Sequence, residues 1–401
     1  MIISPARRTE SVKEYYFSRK LKEIDAINAE KLSRGEEKVI NLGIGAPDGM
    51  PPAAATDALV KSASQPGNHA YQSYVGIPAL RQAFADWYAR YYGVSLDPKT
   101  EIQPLVGSKE GILLTSLAFL DKGDKVLVPD PGYPTYTSAS RLAEAEIVSY
   151  DLKAENGWQP DFEALEKMDL SGVKLMWTNY PNMPTGASAS RELYHRLVDF
   201  GRRHGIMICN DNPYSFILTG EQISILEVEG AKDCCMELNS LSKAHNMSGW
   251  RLGMVASSKE VISEILKVKS QMDSGMFKPL QLAAVEALRQ GPEWFVELNA
   301  EYRRRRVIAC EIFDALGAVY SKESAGLFLW GRIDKDNPLL VGRMDGRPLG
   351  EIISDRVLYE KDVFITPGLI FGRNGEDYIR ISLCANRDVL RHALEKVRSL
   401  K

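Results

Sequence analysis

Short apolar runs alternate with helix-length stretches through the middle of the chain. The runs are rich in Val, Ile, Leu and Met, and they cover residues 125–130, 146–152, 174–181, 206–213, 236–243 and 251–258. Most of them are separated by a segment long enough for a helix, as in parallel sheets whose two faces are covered by helices. We therefore predict an α/β region with a largely parallel sheet between about residues 100 and 260.

The two ends of the chain show a different pattern. Apolar residues recur at helical spacing, which predicts amphipathic helices over residues 11–34, 301–316 and 387–397. Two further segments, residues 325–333 and 377–385, are typical of strands. We expect these ends to pack together as an α+β region.

Composition and charge narrow the class of protein. The chain has 401 residues, enough for two domains, and its formal net charge of −3 gives no electrostatic reason to expect nucleic acid or an anionic membrane as partner. The five cysteines are scattered without CxxC spacing, so neither a disulfide framework nor a metal site is indicated. The sequence lacks an apolar run of the ~20 residues needed to span a membrane. We expect a cytoplasmic protein.

Reactive side chains follow the predicted strands where these strands end. Asn182, Asp211 and Lys243 each come at the C-terminal end of a predicted strand, and the last two are 32 residues apart, about one βαβ unit. Ligands of such sheets bind at the carboxyl ends of the strands. The three positions are therefore expected to meet in one crevice.

Lys243 has neighbours that suit a phosphorylated aldehyde. It lies beside Ser240 and Ser242, and Arg251 follows eight residues later in a glycine-bearing stretch. Most lysines are solvated surface charges, but a buried lysine has a lowered pKa and a nucleophilic amine. Hydroxyl and guanidinium groups are donors for a phosphate. The segment therefore indicates an amine that binds a phosphorylated aldehyde covalently.

The full pattern S-x-S-K-x5-G-x-R-x-G resembles the lysine motif of the fold-type I pyridoxal-phosphate (PLP) aminotransferases of class I/II, the aspartate aminotransferase superfamily. At least five motifs resemble that family in order, from GIGAPD at 43–48 to YIRIS at 378–382. The resemblance implies PLP as cofactor and an α/β fold with a mostly parallel seven-stranded sheet. The implied large domain covers residues 46–284, and the smaller α+β domain covers residues 1–45 and 285–401.

The resemblance also assigns roles around the cofactor ring. It implies that Lys243 forms the Schiff base and that Ser240 and Arg251 hold the phosphate, with Ser242 beside them. Asp211 would keep the pyridine nitrogen protonated, which makes the ring an electron sink. Tyr214, in the pattern D-x-P-Y, would bond the ring's 3′ oxygen.

Further residues carry weaker signals. Gly107, Ser108 and Lys109 precede a helical stretch at the place of the family's phosphate loop, although Ser108 is equally typical of an ordinary helix cap. Tyr133 is either a turn residue or, by the resemblance, the aromatic that stacks on the pyridine ring. Tyr71 resembles the tyrosine that reaches the neighbouring subunit's phosphate, which implies a homodimer with shared active sites.

Arg380 and Gly45 are the candidates for substrate binding. Arg380 lies mid-strand among apolar neighbours, where an inward guanidinium is costly unless it meets an anion. By the resemblance it binds the substrate α-carboxylate, and the alternative is a solvent-facing position in an alternating strand. Gly45 resembles the family's glycine near the substrate, and it also fits a plain turn.

One position departs from the family pattern. The loop 180–186 reads YPNMPTG, so Met183 occupies the place of an asparagine that bonds the cofactor's 3′ oxygen in the family. A thioether cannot donate that bond. The 3′ oxygen would then depend on Tyr214, which keeps a reaction other than amino transfer open.

The implied function is an aminotransferase that moves an amino group between an L-amino acid and a 2-oxo acid by a ping-pong mechanism. A Cβ-lyase would use the same lysine, aspartate and arginine, and a non-catalytic PLP-fold protein is the alternative of another class. A nicotinamide dehydrogenase is disfavoured because Asp48 stands where a third glycine would follow Gly43 and Gly45.

The sequence leaves the substrate side chain open. Lys278 is a candidate second cation for a dicarboxylate substrate, and Tyr15, Tyr16 and Phe17 would instead line a pocket for an apolar side chain.

Overall fold

The structure is a computed structural model that describes residues 2–400. Within that range the chain forms thirteen strands: β1 (Ile40–Asn41), β2 (Ile102–Leu105), β3 (Lys125–Asp130), β4 (Glu146–Asp151), β5 (Val173–Thr178), β6 (Met207–Asp211), β7 (Cys235–Ser240), β8 (Gly253–Ala256), β9 (Ala318–Tyr320), β10 (Phe328–Ile333), β11 (Val363–Phe364), β12 (Thr366–Pro367) and β13 (Tyr378–Ser382).

The same residues form thirteen α-helices: α1 (Arg7–Glu10), α2 (Tyr16–Ser33), α3 (Ala53–Ala63), α4 (Pro78–Tyr92), α5 (Ser108–Phe119), α6 (Pro134–Leu142), α7 (Phe162–Glu166), α8 (Arg191–His204), α9 (Lys259–Lys269), α10 (Lys278–Leu288), α11 (Pro292–Ala315), α12 (Leu349–Lys361) and α13 (Arg387–Arg398). In this range, no helix is long and apolar enough to cross a membrane.

Seven strands form the central sheet, in the order β2-β8-β7-β6-β5-β3-β4. Only β8 runs against its neighbours, so the prediction of a mostly parallel seven-stranded sheet is confirmed. The six predicted runs correspond to β3 through β8. The sequence pattern missed β2, because it has only four residues and contains Pro104; proline is tolerated there since β2 is an edge strand.

Both faces of the central sheet are buried. Along β3, Val126 and Val128 belong to one apolar cluster and Leu127 belongs to the other, as expected for side chains that alternate between the faces. Helices α5, α6 and α9 pack in the first cluster, and α4, α8 and α10 pack in the second. Burial on both sides explains why these strands read as continuous apolar runs.

The C-terminal part of the chain forms a second, antiparallel sheet in the order β12-β13-β10-β9. The N-terminal segment contributes β1, which pairs in parallel with β11 as a separate two-stranded sheet. The helices predicted at the two ends correspond to α2, the second half of α11 and α13. Arg380 lies on β13, an inner strand of the antiparallel sheet.

A buried lysine links α5 to the end of α9. Lys269 is 0% exposed, and its ammonium lies 3.3 Å from Glu110 Oε1 and bonds the carboxylate of Asp273. The other oxygen of Glu110 accepts a 2.6 Å hydrogen bond from the backbone N–H of Val106. The ammonium therefore holds two carboxylates together behind the loop that precedes α5.

We expect Lys269→Met to lower the free energy of unfolding by about 3–5 kcal/mol, because it leaves two carboxylates facing each other without their cation. Denaturant titration measures the change. The matched control is Lys267→Met, which removes a surface pair with Glu264 at 67% and 44% exposure and should cost less than about 1 kcal/mol. Equal effects of the two substitutions would contradict the role given to Lys269.

Candidate active site

One cavity of about 570 Å³ contains most of the residues that the sequence singled out. It opens where β6 and β7 end, beside β13 and the first turn of α2. The predicted residues that line it are Gly45, Ser108, Lys109, Tyr133, Asp211, Tyr214, Ser240, Ser242, Lys243, Arg251 and Arg380.

The loop after β5 corrects one expectation. Asn182 does not line this cavity, because its side chain bonds Thr185 and the carbonyl of Asn179. Since β5 ends at Thr178, it is Asn179 that lies at the sheet edge and lines the cavity, together with Met183.

Lys243 follows the end of β7 by three residues and points its amine at a backbone carbonyl. Its Nζ donates a 2.5 Å hydrogen bond to the oxygen of Gly45 and lies 6.0 Å from the ring centroid of Tyr214. Burial lowers the pKa of Lys243, and the positive charges of Arg380 and Arg251 lower it further. The lowered pKa makes the neutral amine, which is the nucleophilic form, more accessible than in an exposed lysine.

Gly45 is required where it lies. A Cβ built on it would come within 2.2 Å of the Phe328 ring, so a larger residue would move the carbonyl that accepts from Lys243. Gly45 is therefore more than a turn residue, because its backbone lies against Phe328 and accepts a hydrogen bond from Lys243.

Asp211 ends β6 with a carboxylate that is only partly satisfied. Its Oδ2 accepts a 3.0 Å hydrogen bond from the Tyr136 hydroxyl, whereas Oδ1 has no hydrogen-bond partner among residues 2–400. Burial raises the pKa of Asp211 to about 7. A buried carboxylate in this state has room for one more donor or a cation.

Tyr136 is a site residue that the sequence analysis missed. It is fully buried in α6 and stacks on Trp177 at 5.0 Å between ring centroids, with its hydroxyl on Asp211. Its only sequence signal was its place three residues after Tyr133, which lies just before α6. Because a donor favours the ionised form of an acid, Tyr136 lowers the pKa of Asp211 against the effect of burial.

The hydroxyls of Ser240 and Ser242 and the guanidinium of Arg251 lie near the N-terminus of α5. The hydroxyls of Ser240 and Ser242 are 2.8 Å apart, and Arg251 Nη1 donates to Ser242 Oγ at 3.5 Å. Helix α5 begins at Ser108, directly after Gly107. A helix N-terminus with hydroxyls and a guanidinium around it is a binding site for an anion such as phosphate.

Gly107 lets the guanidinium approach this helix start. It has φ +78°, and a Cβ built on it would lie 2.2 Å from Nη2 of Arg251. The anion site therefore depends on a glycine at this position for both conformation and space.

The other predicted cofactor residues lie around this centre. Lys109 is exposed, with its ammonium 4.3 Å from the ring centroid of Tyr15. Tyr133 lies 5.6 Å from the Tyr136 ring, and Tyr214 is buried against Phe328. Tyr71 is 90% exposed and does not line the cavity of its own chain.

Arg380 faces inward, so the solvent-facing interpretation is wrong. It is 3% exposed, and its Nη2 donates a 2.7 Å hydrogen bond to the carbonyl of Gly43. Its Nη1 lies 3.2 Å from Met183 Sδ, a weak acceptor, and its Nε has no partner among the described residues. Burial lowers the pKa of Arg380 to about 10, which leaves the guanidinium charged at neutral pH.

Comparison with known proteins agrees with this geometry. Residues 37–397 match the family model described as Aminotransferase class I and II. The chain belongs to this family.

Relatives of similar length carry aminotransferase names. The chain is 39% identical to the LL-diaminopimelate aminotransferase of Oleidesulfovibrio alaskensis, covering 98% of each chain. It is also 39% identical to the LL-diaminopimelate aminotransferase of Aquifex aeolicus, covering 94% of this chain and 95% of the relative. The chain is therefore a PLP-dependent aminotransferase, and the relatives support amino transfer over lyase chemistry.

Solved structures share the whole fold. Substrate-bound BacF from Bacillus subtilis superposes with a TM-score of 0.90 at 32% identity, covering 100% of this chain and 98% of that one. The aspartate aminotransferase of Thermus thermophilus with maleate gives a TM-score of 0.87 at 27% identity and covers all of both chains. The prediction of a fold-type I architecture is confirmed.

The residues present fit PLP. The unpartnered Oδ1 of Asp211 suits a protonated ring nitrogen, the amine of Lys243 suits the aldehyde, and the start of α5 with Arg251 suits the phosphate.

We expect Gly107→Ala to displace the Arg251 guanidinium and weaken PLP binding about tenfold or more, since a hydrogen bond to a charged group contributes about 1.5–3 kcal/mol. Cofactor titration followed by fluorescence measures the dissociation constant. Gly93→Ala is the control for an alanine at positive φ, because Gly93 has a φ of +66° with no atom within 4 Å of the added Cβ. Equal affinities of the two variants would contradict the steric argument.

Proposed function

We propose that Lys243 binds PLP covalently and that the enzyme moves an amino group between an L-amino acid and a 2-oxo acid by a ping-pong mechanism. The observation that carries the proposal is the convergence in one cavity of the Lys243 amine, the half-satisfied Asp211 carboxylate and the anion site at Arg251. These are the three groups that a phosphorylated pyridine aldehyde requires.

We propose the remaining roles from the resemblance to the family, supported by the position of these residues in or beside the cavity. Gly107, Ser108, Ser240, Ser242 and Arg251 hold the phosphate, with Lys109 adding a positive charge nearby. Tyr133 would pack on the pyridine ring of PLP, and Tyr214 would bond the 3′ oxygen of PLP. Arg380 binds the substrate α-carboxylate beside Gly45.

When bound, PLP supplies the electron sink and carries the amino group between substrates. Asp211 would supply a balancing negative charge for the ring nitrogen, and the Tyr136 hydroxyl favours the ionised form of Asp211. Arg380 orients the amino acid through its carboxylate, while the neutral amine of Lys243 removes the Cα proton and later returns a proton as a general acid. In the net reaction one amino acid becomes a 2-oxo acid and a second 2-oxo acid becomes an amino acid.

The domain bounds and the oligomeric state belong to the same proposal. We place the large domain at residues 46–284 and the small domain at residues 1–45 and 285–401, supported by the pairing of β1 with β11 outside the central sheet. We propose a homodimer in which the exposed Tyr71 completes the partner's phosphate site. The cytoplasmic location stays a prediction.

Among L-amino acids, LL-diaminopimelate is one candidate for the amino donor. It is the substrate in the names of the relatives described above, which match this chain over nearly its whole length.

We expect the PLP-loaded enzyme to move ¹⁵N from a labelled amino acid to an unlabelled 2-oxo acid, as measured by mass spectrometry of the product amino acid. Release of ammonia and pyruvate without a labelled product would indicate a lyase.

After borohydride reduction, the cofactor mass should lie on the peptide that contains Lys243. Lys243→Ala should abolish both results, whereas the cavity control Lys109→Ala should keep the cofactor attached; attachment at any other lysine would overturn the assignment.

Shared sites predict complementation between inactive variants. A mixed dimer of Lys243→Ala and Tyr71→Ala chains contains one doubly altered site and one unaltered site, because each site takes its lysine and its tyrosine from different chains. Mixing the two variants under subunit exchange should therefore restore transfer activity. Mixed dimers that form, as shown by tagged purification, yet stay inactive would contradict the shared site.

A further inference from the structure

The part of the cavity next to Arg380 is lined by apolar and aromatic side chains. We call this surface the apolar wall, and its members are Tyr15, Phe17, Leu21, Ile44, Met183 and Phe328. The first three come from the start of α2 and the residue before it. The wall therefore joins the N-terminal segment to the loop after β5 and to β10.

Two members of the apolar wall pack directly against Arg380, the proposed carboxylate-binding residue. The Phe328 ring centroid lies 3.9 Å from the Cζ of Arg380, and the Phe17 centroid lies 5.6 Å from it. Phe328 also lies against Gly45, whose carbonyl accepts from Lys243. An amino acid held between Arg380 and Lys243 therefore has Phe328 beside it.

Charged groups in the cavity are few, and most have a role already. Among the described residues the charged side chains that line it are Lys109, Asp211, Lys243, Arg251 and Arg380. Among the described residues of one chain, Asp211 is the only acid in this lining, so a second ammonium on the substrate would find no free carboxylate from the chain that binds it. Lys109 is the only cation left for a side-chain carboxylate, and its ammonium packs over the Tyr15 ring.

Met183 adds to this apolar character. Its sulfur lies 3.2 Å from Nη1 of Arg380 and accepts weakly from it, at a position where an amide would offer both a donor and an acceptor. A polar substrate side chain in this region would leave buried groups without hydrogen-bond partners, which is costly.

We propose that the preferred amino donor is an L-amino acid with an apolar or aromatic side chain, which packs on the apolar wall. The proposal rests on the proposed aminotransferase function and specifies its substrate class. It disfavours dicarboxylic donors and LL-diaminopimelate, whose far end carries both an ammonium and a carboxylate.

The test is a set of single-turnover half-reactions of the PLP-loaded enzyme without acceptor, followed by the change in cofactor absorbance. The donors are L-phenylalanine, L-leucine, L-methionine, L-alanine, L-glutamate, L-lysine and LL-diaminopimelate. We expect the rate divided by the dissociation constant to be at least about tenfold higher for the best of the first three donors than for the charged donors. A non-reacting pair gives a second readout: 3-phenylpropanoate should bind about tenfold more tightly than glutarate in calorimetry.

Phe17→Ala tests the wall itself, with alanine as the matched donor because its methyl group is too short to use the wall. The loss for L-phenylalanine should exceed the loss for L-alanine about tenfold, whereas equal losses would mean that Phe17 acts only through Arg380 and would overturn the wall. L-glutamate or LL-diaminopimelate as the fastest donor, with a rate that Lys109→Met abolishes, would overturn the substrate class while leaving the transferase function intact. No spectral change with any donor would instead overturn the proposed function.

Discussion

Burial of the Arg380 guanidinium and the Lys243 amine beside a single short backbone segment is the constraint on which the site depends. Arg380 is almost completely buried and Lys243 is partly buried, and each loses water that must be replaced by protein acceptors. The carbonyl of Gly43 accepts from Arg380, and the carbonyl of Gly45 accepts from Lys243. Both carbonyls belong to the segment directly after β1.

That segment can lie there only because it contains glycine. A Cβ on Gly43 would come within 2.3 Å of the Phe364 ring, and one on Gly45 within 2.2 Å of the Phe328 ring. Phe364 lies on β11, the partner of β1, and Phe328 lies on β10. Strands β11 and β10 thus fix the backbone that accepts from Arg380 and Lys243, which couples the two parts of the fold at the site.

Several residues of the site could be predicted because their chemistry is local in sequence. Lys243, its flanking serines and Arg251 lie within a dozen residues, and Asp211 ends a strand whose apolar run is plain in the chain. The structure placed all of them in one cavity. The residues that were missed act through long-range contacts: Tyr136 reaches Asp211 from another helix, and Gly43 reaches Arg380 from 337 residues away.

The sequence by itself determined the family, the cofactor and the places along the chain of the strands that carry the reactive groups, because these depend on motifs and on alternation along the chain. Only the tertiary structure decided that Arg380 points inward, that Met183 contacts it, and that aromatic side chains from both ends of the chain surround it. The reason is physical: the charge and hydrogen bonds of a buried side chain are set by neighbours that folding brings together, and those neighbours are far apart in sequence.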